Sequence, residues 1–260
     1  MSGFILCQVK QAENPYFIEN ISTNIYSIEE LCYYFCHNLY LIDETIMNEQ
    51  LCEWIREELG LSGLSGRLRA IWEKAGGIDE FVYPVFKEIN YLNYEELKTL
   101  SARLQRLAKE PVTVREKRKG DSLVENGMYV RALGIYRSVL EREDVSRMRE
   151  GFTGVVWYNM GCTYSYLFQK ERALECFEKA YQQLHTKNTL KSYLLTFSEV
   201  YEEEEYVRKL KELGVDARTR QEIQAVRTEL GRLPKAAVKD GQVEETLERL
   251  TKEYQRNTGA

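Results

Sequence analysis

Residues 157–181 read WYNMGCTYSYLFQKERALECFEKAY, with Trp157, Met160, Gly161, Tyr164, Ala173, Phe177 and Ala180 spaced as W-x2-M-G-x2-Y-x8-A-x3-F-x2-A. Moving back 41 residues brings Gly120, Leu123, Ala132, Tyr136 and Val139 onto the equivalent places of KGDSLVENGMYVRALGIYRSV. Self-similarity at a fixed offset marks a repeat, a unit too small to bury its own apolar faces without neighbours. The rest of the chain favours helices. Only 4 prolines and 16 glycines occur in 260 residues, too little turn chemistry for an all-β fold.

Outward from that stretch, residues 4–26 hold a short β element, carried by FILCQV and NIYS around Asn14–Pro15. Ser27 is an N-cap with Glu30 three residues on, opening a helix whose apolar face is Ile28, Leu31, Cys32, Phe35, Cys36 and Leu39. Asp43 caps a second helix with Ile46, Leu51, Ile55 and Leu59 inward, and Gly60 ends it. LSGLSG (61–66) reads as a connector, RLRAIWEKA as a third helix and Gly76–Gly77 as a break. Pro84 predicts a kink or a restart in IDEFVYPVFKEINYL, since it removes a backbone donor and crowds the preceding turn. Asn93 caps the next helix, which stops before Pro111. Three regions follow: an acidic helical module over 1–110, helix pairs over 111–214, and capping helices over 215–260 with a linker near 231–241.

The pattern of the opening stretch resembles the tetratricopeptide repeat, with Met160 where the family has Leu. The resemblance spans residues 113–214, including a degenerate third pair at 188–214, and the first 110 residues resemble no family. It implies an all-α solenoid of antiparallel helix pairs. Gly161 and Ala173 would sit where the helices of a pair approach most closely, and Ala180 would admit the next pair. It also implies a concave groove lined by the first helix of each pair. In the stronger repeat this presents Val155, Tyr158, Asn159, Cys162, Ser165 and Tyr166, and in the weaker one Lys117, Arg118 and Asp121 with Val114, Val124 and Glu125. Family members that grip a terminal carboxylate use lysines, asparagines and an arginine. Lys117 and Asn159 match that clamp, whereas Asp121, Thr189 and Ser192 do not.

Charge is uneven. Residues 1–60 carry ten acids against Lys10 and Arg56, a balance of −8, which disfavours a phosphate backbone as ligand. The run REKRK (115–119) reads as a solvated helical face, with a phosphate patch as the alternative. No run approaches the roughly 18 apolar residues of a membrane span, and no secretory signal is read at the start, which implies the cytoplasm. The 6 scattered cysteines then read as thiols, and Cys32, Cys36, His37 and Cys52 lack the tight spacing of a zinc site. The sequon at Asn20 has meaning only on export. No nucleophile–base arrangement, metal set or cofactor motif is read. The expectation is a non-enzymatic adaptor or scaffold that binds a protein or peptide segment and uses no cofactor. A peptide-responsive regulator is one alternative. The other is a structural subunit that self-associates through residues 241–256, where Val243, Leu247, Leu250 and Tyr254 form a heptad-like stripe.

Overall fold

The computed structural model describes residues 9–232 and 242–258. FILCQV (save Val9), Cys7 and the linker stretch 233–241 lie outside the described residues. Among the described residues the fold is all-α, of solenoid-like helix pairs, with a two-stranded β element. The chain divides into two compact units, Met1–Asn126 and Gly127–Ala260, a division that falls one helix after Pro111.

The first unit opens with an antiparallel hairpin, β1 (Tyr16–Ile18) and β2 (Thr23–Ile25), in the register Tyr16↔Ile25 and Ile18↔Thr23. Alternation buries Tyr16 and Ile18 and leaves Phe17 out. Helix α1 (Ile28–His37) begins with the expected capping box: Glu30 N donates to Ser27 Oγ at 3.2 Å, and Ser27 N donates to Glu30 Oε2 at 3.1 Å. The second helix, α2 (Glu49–Glu57), is capped by Asn48 and not by Asp43, with Leu51 N donating to Asn48 Oδ1 at 2.8 Å. Asp43 instead closes the turn before it, accepting from Thr45 N at 3.0 Å. Gly60 takes the left-handed φ of +70° that ends this stretch.

LSGLSG is no connector. It forms the start of α3 (Ser62–Glu73), because Leu64 and Leu68 are fully buried and Ser65 Oγ satisfies Cys52 O at 2.6 Å. Packing overrides the modest cost of Gly63 and Gly66 in a helix. Helix α4 (Ile78–Glu88) runs through Pro84 without restarting. Helix α5 (Tyr94–Lys109) carries the Asn93–Glu96 capping box, and α6 (Val112–Glu125) follows Pro111. The core of this unit gathers Ile28, Leu31, Phe35, Leu51, Ile55, Phe81 and Phe86, all fully buried. Asn20 is buried and donates to Leu41 O at 2.9 Å and Thr45 Oγ1 at 2.8 Å, so its amide is committed to the fold.

The second unit is a succession of helices: α7 (Tyr129–Glu141), α8 (Phe152–Tyr166), α9 (Lys170–Leu184), α10 (Lys187–Val200), α11 (Glu203–Glu212), α12 (Ala217–Arg232) and α13 (Val243–Thr258). A 3₁₀ turn at Glu143–Arg147 lies inside the extra loop that lengthens the repeat offset. Helix α11 has Glu203, Glu204 and Glu205 in its first turn and Lys209 and Lys211 in its last, matching the helix dipole. It closes at Gly214, φ +59°, with Val215 N donating to Leu210 O at 3.1 Å.

Candidate functional site

Helix α8 is fixed along one side by close approach to α9. A Cβ at Gly161 would lie 2.6 Å from Cε1 of Phe177, and one at Gly154 would lie 2.7 Å from Cγ of Leu184. A side chain at either position would force Phe177 or Leu184 to move. Ala173 and Ala180 are fully buried on α9. Phe177 is buried against α8, which contributes roughly 2–3 kcal/mol of hydrophobic stabilisation. Trp157 lies under Lys179, Nζ 4.2 Å from its ring centroid. Tyr164 is buried and accepts from Arg137 Nη2 at 2.6 Å, tying α8 to α7.

The other side of α8 carries Val155, Tyr158, Asn159, Cys162, Ser165 and Tyr166, one helical face by spacing. The first four are half-buried and the last two exposed. Tyr158 is partly a structural residue: its hydroxyl lies 3.1 Å from Ser192 Oγ on α10, and its ring packs 5.5 Å from that of Phe177. Ser165 Oγ donates to Gly161 O at 2.9 Å, which leaves its lone pairs facing outward. Burial raises the Cys162 thiol pKa, and the hydrogen bond with Tyr158 offsets only part of that, so the thiol is neutral at physiological pH. Tyr166 is 58% exposed and stacks on Tyr129 of α7, centroids 5.0 Å apart and planes within 7°.

Two residues of this surface escape the sequence pattern. Tyr129 is brought to Tyr166 by packing alone. Phe168 is 87% exposed and holds φ +56°, a left-handed conformation that costs a bulky L-residue about 1–2 kcal/mol. Its counterpart one repeat earlier is Gly127, φ +76°. The signal was present: a phenylalanine stands in a helix-ending turn where the sister repeat has glycine.

Lys117, Arg118 and Asp121 belong to α6 in the first unit, and their charges are matched there. Lys117 Nζ lies 2.6 Å from Asp121 Oδ2. Arg118 pairs with Glu110 Oε1 at 3.2 Å, donates to the Tyr40 hydroxyl and lies over the Tyr40 ring. Lys119 is 2.7 Å from Asp43 Oδ2. Three of the five REKRK side chains have carboxylate partners, so the run is not a free basic patch. Thr189 is buried, with its amide accepted by the Thr186 hydroxyl at 3.2 Å, and offers a ligand no charge. Cys32 and Cys52 are buried, and no group of three His, Cys, Asp or Glu side chains suited to a metal occurs among the described residues. None of the described helices is long and apolar enough to cross a membrane.

What fold and site define is an all-α protein of successively paired helices with an aromatic, half-open face on α8. Compared with family models, curated proteins and solved structures, the chain finds no match.

Proposed function

We propose that this protein is a non-enzymatic adaptor or scaffold of the tetratricopeptide type, and that α8 holds a segment of a partner protein. The observation that carries this reading is the aromatic surface at the end of α8. Tyr166 and Phe168 stand 58% and 87% exposed, one stacked on Tyr129 and the other held in a strained turn. Tyrosine and phenylalanine give broad contact area at small entropic cost and are enriched at the cores of protein interfaces. The Gly154 and Gly161 interlock keeps the helix rigid, so little ordering is needed on association. Recognition then rests on aromatic contact at Tyr166 and Phe168, with polar pairing at Asn159 and Ser165.

The test compares bead-bound full chain with its Tyr166→Ser/Phe168→Ser variant in native lysate, with circular dichroism to confirm equal helicity. A protein retained by the wild type and lost with the variant supports the proposal. Identical retention by both overturns it.

A second reading rests on α13, where Val243, Leu247, Leu250 and Tyr254 are each about half exposed or more along one stripe. Self-association through that stripe predicts a mass that rises with concentration and falls to the monomer's on Leu247→Asp/Leu250→Asp substitution.

A further inference from the structure

Helices α3–α6 and the 3₁₀ turn Leu39–Leu41 of the first unit line a half-open cavity of about 700 Å³. Its apolar wall includes Ile42, Met47, Trp72, Ile78, Leu104 and Leu107. Trp72 is 37% exposed and lies on this wall, where its ring offers a broad apolar contact surface. The volume falls within the range of ligand pockets, which pair an apolar lining with a few placed polar groups.

The polar groups here have a sign. Asp43, Glu44, Asp79 and Glu116 line the cavity against Arg115 and Lys119 only. Lys119 is bound to Asp43 at 2.7 Å, and each partner's side chain is under a quarter exposed. Burial lowers the Lys119 pKa, but the hydrogen bond and charge of Asp43, with Glu116 and Glu44 nearby, raise it beyond that loss. The lysine therefore stays charged, and once it is neutralised by Asp43 the cavity keeps an excess of carboxylate over Arg115. The whole of residues 1–126 leans the same way, with 20 acids against 14 bases.

We propose that this cavity is a docking pocket for a basic peptide segment, in which a large apolar side chain enters against Trp72 while a neighbouring lysine or arginine meets Glu44 and Glu116. It is a second site, in the first unit, independent of the α8 face. A desolvated apolar anchor supplies most of the affinity, and the carboxylates supply the choice of sign. An acidic segment with the same anchor is excluded by repulsion.

The experiment uses the full chain labelled with 5-fluorotryptophan, whose three resonances belong to Trp54, Trp72 and Trp157. A Trp72→Phe variant, which removes one of them, assigns the Trp72 resonance. Three acetylated hexapeptides are titrated at low salt: Gly-Lys-Phe-Lys-Leu-Gly, its version with glutamates for the lysines, and its version with serines for Phe and Leu. Only the first is expected to move the Trp72 resonance, with Trp157 unmoved. Glu44→Gln/Glu116→Gln should weaken that binding roughly tenfold, and physiological salt should weaken it for the wild type as well. A shift at Trp157 in place of Trp72, an equal response to the glutamate peptide, an unchanged affinity in the double variant, or no shift at millimolar peptide would each overturn the proposal.

Discussion

The two units are held together differently. In the second, the decisive contacts join neighbouring helices: Gly161 against Phe177, Gly154 against Leu184, Tyr164 to Arg137. In the first, polar bonds span long stretches of chain. Trp54 Nε1 donates to Asn14 O at 2.9 Å across 40 residues, Lys119 reaches Asp43 across 76, and Asn126 Nδ2 reaches Asn38 Oδ1 at 2.7 Å across 88. Steric fit between adjacent helices tolerates no added atoms. A net of dispersed hydrogen bonds loses one member at a time. Local interlocks should therefore fail abruptly, and the dispersed net by smaller, pH-dependent steps.

The largest expected effect is at Gly161. Gly161→Val would place branched carbons against the Phe177 ring, and overpacking of this kind costs about 1–3 kcal/mol. Urea unfolding followed at Trp157 should show it, and Phe177→Ala in the same chain should return part of the loss. A cost under 1 kcal/mol would mean that α8 and α9 do not approach this closely.

Next comes the Asp43–Lys119 pair. Burial alone would raise the Asp43 pKa, but hydrogen bonds from Lys119 and Thr45 outweigh it and hold the carboxyl below its ordinary range. A depressed acid stabilises the fold above its unfolded pKa of about 4, and that contribution fades as pH falls through the lower folded value. Lys119 is raised, so its contribution is full below about 10.4 and is lost as pH climbs through the higher folded value. Asp43→Asn should cost about 2 kcal/mol at neutral pH. The difference from wild type should shrink on acidification toward pH 3 and also at strongly alkaline pH. A cost that stays constant across that range would remove the ion pair from the account.

The smallest effect has the opposite sign. Phe168→Gly relieves a left-handed phenylalanine and should stabilise the second unit by about 1 kcal/mol while weakening partner binding. Stabilisation with unchanged binding would leave the strain without a purpose.

The same contrast decides what was legible in the sequence. The capping box at Ser27–Glu30, the Asn93 cap, and the small residues Gly161, Ala173 and Ala180 act within one or two neighbouring helices, so spacing alone exposes them. LSGLSG misled because glycine and serine are punctuation only when exposed on both sides; Leu64 and Leu68 pull that segment into the core as helix. Asp43 is a sound cap by chemistry, yet Asn48 caps α2, while Asp43 is engaged by Thr45 and by Lys119, far along the chain. The cavity was invisible for the same reason, since its wall is drawn from separate segments. Tyr158 shows the limit of register: it lies on the expected face, yet Ser192 and Phe177 engage it.

The central claim is that the free end of α8 is where a partner binds, and site-specific photocrosslinking tests it most directly. Benzoylphenylalanine would replace Tyr166 in one preparation and Glu171, exposed on α9, in another. Irradiated in native lysate, the chain labelled at 166 should form one dominant adduct with a partner protein, and the chain labelled at 171 should not. Equal adducts from both positions, or none from 166, would contradict the claim.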